Sequence, residues 1–246
     1  MELSKRLRAV AGLVTPGNVV CDVGCDHGYV SIFLVETGKS PKVYAMDVRK
    51  GPLSRAKEHV SEAGLSDYIE LILSDGLKEM PENRADTLIC AGMGGRLVIK
   101  ILSDSLEKVR QMKELVLQPQ SEIWVVRAFL REQGFVVTDE DMVEEDGKFY
   151  PILYVRVPSG EKREESDSRK QMAVADGFVL QDKYGKVLLE KKHPVLKEYL
   201  LWEKKILLQI EKELESSAKA GEKTEKRLHT LAEDKKLIEE ALTYFM

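Results

Sequence analysis

Apolar and polar positions change period repeatedly along this chain, and each change marks an element. Leu3, Leu7, Val10, Ala11 and Val14 recur at helical spacing, with Lys5, Arg6 and Arg8 on the other side, which predicts a helix over 3–14. Thr15-Pro16-Gly17-Asn18 then breaks the chain. Short apolar runs at 19–21, 42–46, 68–73, 85–91 and 114–117 read as strands. Between them lie helical stretches at 29–35, 51–63 and 96–102, and another follows at 123–133. Pro52 sits in the first turn of its helix, where its missing N–H costs nothing. Two further strands, 135–143 and 149–157, come together without a helix between them. Strand–helix alternation closed by two adjacent strands predicts an α/β, Rossmann-like doubly wound sheet with an N-terminal helix and a terminal antiparallel β-hairpin.

The pattern then changes character. Residues 158–170 are dense in Glu, Lys, Arg, Ser and Asp and nearly devoid of apolar side chains, so they cannot order themselves by burial and read as a linker. Residues 178–189 carry a short apolar segment with Lys183, Lys186, Lys191 and Lys192 around it. Leu196, Leu200, Leu207, Ile210 and Leu214 follow at spacings of three and four with Glu203 as a break. Leu228, Leu231, Ile238, Leu242 and Phe245 repeat the pattern with Lys235 as the break, after a turn over 216–221. This predicts a C-terminal antiparallel helical hairpin with a coiled-coil seam. The expected organisation is a ligand-binding sheet domain over 1–160, a charged connecting segment over 161–193, and the hairpin over 194–246.

Composition narrows the function classes. The formal net charge is −4, so any nucleic-acid contact has to come from a local basic patch. Cys21, Cys25 and Cys90 form no C-x-x-C pair, and the four histidines show no metal-ligand spacing, so neither disulfides nor a metal are expected. No apolar run approaches membrane-spanning length, and a cytoplasmic protein is expected.

The candidate chemistry gathers at the carboxyl ends of the strands, where open α/β sheets bind ligands. Asp22-Val23-Gly24-Cys25-Asp26-His27-Gly28 joins the first strand to the next helix. A glycine there lets backbone approach a ligand, and the helix N-terminus offers unpaired N–H donors. The spacing is G-x-x-x-G, and Asp26 occupies the place where a dinucleotide site clears room for pyrophosphate, so NAD is disfavoured. An acid two residues before Gly24 suits a ligand with a positive end, such as S-adenosylmethionine. Asp47, ending the second strand, is placed to accept two ribose hydroxyls. Asp75, in Ser74-Asp75-Gly76 after the third, is placed to accept an adenine amine. For Asp26 and His27 two readings stand: groups that act on a substrate, or a helix cap with a histidine packed beside it.

The sequence resembles the bacterial tRNA (adenine(22)-N1)-methyltransferase family, a class I S-adenosylmethionine-dependent group. The resemblance rests on Leu3-Ser4-Lys5-Arg6-Leu7, Gly24-Cys25-Asp26-His27-Gly28, Ser74-Asp75-Gly76-Leu77, Ala91-Gly92-Met93-Gly94-Gly95, Leu117-Gln118-Pro119-Gln120 and Glu144-Glu145-Asp146-Gly147-Lys148. Cys25 and Gln120 stand where serine and asparagine are common. The resemblance implies methyl transfer to N1 of an adenine in the D-arm region of tRNA. Asp22, Gly24, Cys25, Gly28, Asp47, Ser74, Asp75, Gly76 and Ala91 would bind the cofactor, and Asp26, His27, Gly92 and Met93 would face the reacting base. An Asn/Asp-Pro-Pro-aromatic motif, carried by enzymes that methylate amino groups, is absent after the fourth strand. Lys5, Arg6, Arg8, Arg96 and Lys100 are the expected RNA contacts, with the 183–192 lysines either a further grip or a solvated helix entrance. A monomer or a weak homodimer through the hairpin is expected. The residues alone also fit a methyltransferase acting on another RNA base or a small molecule, or a ligand-sensing protein without catalysis.

Overall fold

The computed structural model describes residues 3–158, 175–216 and 222–246. The chain divides into two compact units, Met1–Gln171 and Met172–Met246. The first holds α1 (Lys5–Leu13), β1 (Val20–Val23), α2 (Tyr29–Glu36), β2 (Val43–Asp47), α3 (Lys50–Glu62), β3 (Ile69–Leu73), β4 (Thr87–Gly94), α4 (Gly95–Asp104), α5 (Leu106–Arg110), β5 (Glu114–Ser121), α6 (Ile123–Glu132), β6 (Val136–Glu145) and β7 (Lys148–Arg156).

The seven strands form one sheet in the order β3-β2-β1-β4-β5-β7-β6. The first five are parallel, and β7 lies antiparallel between β5 and β6. Every residue of β1 and β2 is buried, because a parallel sheet is covered on both faces. Alternate side chains enter different cores, as a pleated strand requires. Cys21, Val23, Met46, Leu88 and Cys90 pack with Val98 and Leu102 of α4 and Leu130 of α6. Val20, Val43, Ala45 and Ile89 pack with Val10 of α1, Leu34 of α2 and Val60 of α3. The three cysteines are free and buried.

Two features depart from the sequence reading. The glycine stretch after 91 is not a loop: β4 continues to Gly94 beside an equally extended β5, with register shifts around Met93. Gly92, at φ +80°, forms the irregularity that lets the pairing resume. The five-residue α5 went unseen because so short a helix shows no period.

In the second unit, α7 (Ala175–Tyr184), α8 (Lys186–Glu190), α9 (Pro194–Ser216) and α10 (Glu222–Thr243) are described. Ion pairs Lys204–Glu239 and Lys235–Glu211 run the two long helices antiparallel. Leu196, Leu200, Leu231, Ile238 and Ala241 are buried within this unit. The expected connecting segment 161–193 contains α7 and α8 within its described part, and its Leu180, Tyr184, Leu188 and Leu189 are buried too. Those described residues therefore fall in the same unit as the hairpin. The linker reading over 159–170 and the turn over 217–221 lie outside the described residues. No described helix is long and apolar enough to cross a membrane.

Candidate functional site

The order of strands reverses between β1 and β4, and a cleft of about 500 Å³ opens where their carboxyl ends diverge. One wall is the turn after β1. Its Gly24 and Cys25 N–H groups both donate to the Met46 carbonyl, at 2.8 and 2.9 Å. Gly24, Asp26 and Gly28 have φ of +75°, +47° and +75°, a succession only glycine and a short polar residue tolerate. Gly28 does not line the cleft; it is the left-handed N-cap of α2, and a Cβ there would come within 3.3 Å of Ala56 on α3. Gly24 does line it, but the space above its α-carbon is taken by Met93, whose Cε would lie 2.1 Å from an added Cβ. The close approach that Gly24 allows in this structure is thus to the β4 strand.

Asp26 is not the N-cap residue of α2, a position held by Gly28. Its carboxylate is exposed, 3.6 Å from His27 Nε2 and 3.8 Å from Arg55 Nη2. The His27 ring lines the cleft and stacks on Tyr29 at 5.3 Å and on His59 at 5.7 Å between centroids. Its Nδ1 is buried and has no hydrogen-bond partner, while its carbonyl pairs with His59 Nδ1 at 3.0 Å.

The acids at the strand ends have distinct environments. Asp22 is buried and accepts the Ser31 hydroxyl at 2.7 Å. Burial pushes its carboxyl up to about 6, helped by the nearby Asp47 charge and resisted by the Ser31 hydrogen bond. Asp47 is also buried, and its Oδ1 accepts the Arg49 N–H at 2.8 Å. Asp75 is half-exposed, and the hydrogen bond and charge of Lys78, 2.5 Å away, hold its carboxyl below the usual range. The Ser74 hydroxyl donates to the Gly76 carbonyl and accepts the Glu79 N–H, so it shapes the turn. The Cys25 thiol is pushed up by burial and then by Asp22 and Asp47. Asp22, Asp47, Asp75, Gly76 and Ala91 all line the cleft, together with Cys25 and Ser74. Two buried carboxylates facing one space fit a ligand with a positive end and a pair of hydroxyls.

Gly92 and Met93 form the neighbouring wall. The Gly92 N–H donates to the side-chain oxygen of the fully buried Gln118 at 3.1 Å, and the same oxygen accepts from Arg6 Nη1 at 2.8 Å. Of the five basic residues expected to meet RNA, Arg6 alone lines the cleft. Lys5 is tied to the end of β6, donating its N–H to Glu145 and its ammonium to the Glu144 carbonyl. Arg8 is exposed on α1. Arg96 pairs with Glu122 at 2.7 Å, and Lys100 pairs with Asp104. Among the 183–192 lysines, Lys183 pairs with Asp234 and Lys192 donates to the Met246 carbonyl, both within their own unit.

Sequence reasoning missed Leu7, Tyr29, Val48, Arg49, Leu97 and Gln120, all of which line the cleft. Val48 and Arg49 directly follow Asp47, so a strand-end signal was present for them. Leu7 read as an apolar position of the first helix and Tyr29 as the start of an apolar helical stretch, and nothing local distinguished them.

A family model described as "Methyltransferase domain" matches residues 3–153. The tRNA (adenine(22)-N(1))-methyltransferase of Bacillus subtilis is 35% identical over 153 residues, which are 62% of this chain and 64% of that protein. The match therefore spans just under two thirds of that relative's length. The crystal structure of a putative tRNA (m1A22) methyltransferase from Streptococcus pneumoniae is 30% identical with a TM-score of 0.83, covering 98% of this chain and 100% of that one. The same Streptococcus protein in complex with S-adenosyl-L-methionine gives a TM-score of 0.79 at 30% identity, covering 98% and 100% of the two chains.

Proposed function

We propose that this chain, which belongs to the methyltransferase-domain family, transfers a methyl group from S-adenosylmethionine to N1 of adenine 22 in tRNA, a reading supported by its likeness to the tRNA (adenine(22)-N1)-methyltransferases. The observation that carries this reading is the cleft. Buried Asp22 and Asp47 face the same space as Gly92 and Met93, so a cationic cofactor and a second reactant have adjoining places.

S-adenosylmethionine bound there supplies an electrophilic methyl on its sulfonium. Asp22 would take its α-ammonium, and Asp47 its ribose hydroxyls, through the oxygen that Arg49 leaves open. Exposed Val48 and the Asp75-Gly76 turn line the same cleft and would flank the adenine of the cofactor. The target adenine needs little from the protein to begin reaction, because N1 carries its own lone pair. The methylated base is a cation that shares charge with its N6 amine. Catalysis then rests on alignment and on acceptors aimed at that amine. Asp26 and the carbonyls around Gly92 and Met93 are those acceptors. His27, whose Nε2 stands 3.6 Å from Asp26, would take a proton from the product.

Lys5, Arg8, Arg96 and Lys100 sit on α1 and α4, the two helices that border the cleft through Leu7, Leu97 and Ile101. They form the basic rim for the RNA backbone, with Arg96 and Lys100 already partly neutralised by their acids. The chain acts in the cytoplasm, where its substrate is made.

Methyl transfer to a tRNA transcript, followed by mapping of the modified base, tests the proposal. One reverse-transcription stop at adenine 22 is expected, since an N1 methyl group blocks pairing, and a transcript with guanine at that position should accept no methyl. Modification of another base, or methylation of small molecules alone, would overturn it.

A further inference from the structure

Among the described residues, no carboxylate pairs with the guanidinium of Arg6, although the cleft it lines gathers Asp22, Asp47 and Asp75. Its partners are neutral. Nη1 donates to Gln118 Oε1 at 2.8 Å, and the guanidinium carbon lies 5.5 Å from the centroid of the Tyr150 ring. Gln118 is fully buried, and its one side-chain oxygen serves both Arg6 and the Gly92 N–H, while its amide nitrogen donates to the Pro119 carbonyl. A half-buried cation held by an uncharged acceptor keeps its charge available, which a carboxylate in the place of Gln118 would cancel. Gly92 lies beside it: an added Cβ there would meet Arg6 Nη1 at 3.6 Å, an ordinary contact, so it is the φ of +80° that calls for glycine at this position.

The cofactor proposed for this cleft carries one anionic group, the carboxylate of its methionine end. The other arginine of the lining, Arg49, does have an acid nearby, its Nε standing 3.8 Å from Asp47. We infer that Arg6 is the binding residue for the carboxylate of S-adenosylmethionine, and that Gln118 is the positioning residue that aims it and ties its seat to the Gly92 stretch. Arg6 is thereby reassigned from RNA backbone to cofactor. The inference rests on the cofactor reading above, and it adds a link: because one oxygen holds both partners, occupancy of Arg6 and the seating of Gly92 beside Met93 are set by the same side chain.

Decarboxylated S-adenosylmethionine, which lacks the group in question, gives a test by calorimetry without RNA. Wild type should bind it on the order of 10- to 100-fold more weakly than S-adenosylmethionine, the range for hydrogen bonds to a charged group. Arg6→Ala should lose a similar factor for S-adenosylmethionine and little for the decarboxylated form, so that the two losses do not add. Gln118→Glu keeps both acceptor roles and neutralises Arg6 but gives up the amide donor to the Pro119 carbonyl; in protein shown to be folded by circular dichroism, it should weaken S-adenosylmethionine more than the decarboxylated form. Equal losses for both ligands in Arg6→Ala, or none for either, would overturn the assignment. So would an Arg6→Ala protein with unchanged cofactor affinity whose tRNA affinity loses about one unit of salt slope, because Arg6 would then be an RNA contact. Selective loss in the cycle with no methylation of tRNA would overturn the proposed reaction and leave this inference standing. Methylation at adenine 22 with no selectivity in the cycle would do the reverse.

Discussion

At the scale of single residues, Asp22 makes the sharpest statement about what the cleft requires. It is buried with a hydroxyl as its hydrogen-bond partner, and its carboxyl is pushed up to about 6. A carboxyl raised on folding stabilises the chain while it is protonated, and that contribution is lost as pH rises through about 6. An Asp22→Asn variant cannot ionise and still accepts from Ser31. Without cofactor it should therefore gain stability on wild type between pH 4 and 7, by up to about 3 kcal/mol, as measured by denaturant unfolding. A positive ligand end reverses the preference by favouring the ionised form. Wild-type affinity for S-adenosylmethionine should rise as pH climbs from 5 toward 6 and level off above it, whereas the Asn variant should bind weakly at every pH. A flat wild-type profile would remove the ammonium from Asp22. The acids themselves were legible in the sequence, because each ends a strand and the strand ends are set by local pattern. The Arg6–Gln118 bond was not, since its partners stand 112 residues apart. Nor was Met93 over Gly24, because a glycine in a turn does not announce which neighbour fills the space it leaves.

At the scale of elements, the sheet and its helices followed from apolar period, while the interruptions in that period carried information the pattern could not decode. Glu203 looked like a defect in the apolar face of α9. It accepts hydrogen bonds from Tyr184 at 2.9 Å and Tyr199 at 3.2 Å, and so joins α7 to the long helix. Lys235 is likewise matched by Glu211 at 2.8 Å across the pair. Pattern alone would recommend Glu203→Leu as a repair. The structure argues the opposite, because the buried Tyr184 hydroxyl would lose its acceptor, at a cost of about 1–3 kcal/mol. The Leu variant should therefore show a lower melting temperature for helical signal by circular dichroism, by several degrees on the scale of a unit this size. An unchanged or higher melting temperature would mean that apolar contact outweighs the tyrosine network. The β4 strand teaches a related lesson. Gly92-Met93-Gly94 reads as loop because glycine weakens strands, yet pairing with β5 overrides that preference once Gly92 forms the bulge.

At the scale of the whole molecule, the division into units changes where the chain can be cut. Apolar pattern placed the start of the C-terminal body at Pro194, because the long helices begin there. Leu180, Tyr184, Leu188 and Leu189 nevertheless belong to the unit that starts at Met172, and they are buried in it. A chain ending just before Pro194 would keep those four side chains and lose the helices that cover them, leaving an exposed apolar patch of the kind that drives association. A chain ending at Gln171 would keep the sheet, its two cores and every residue that lines the cleft. The shorter truncation product should therefore be monodisperse and bind S-adenosylmethionine with near wild-type affinity, while the longer one aggregates. Its behaviour toward tRNA then separates the roles of the two units. With a net charge of −4 the protein has no general attraction for a polyanion, so affinity depends on clustered cations and must fall with salt. If the second unit neutralises phosphates, the chain ending at Gln171 should show a weaker tRNA affinity and a shallower salt slope, by roughly one unit for each phosphate left without its cation. Size-exclusion chromatography and affinity titrations at two salt concentrations would decide. A wild-type slope in the truncated protein would assign all phosphate binding to the first unit.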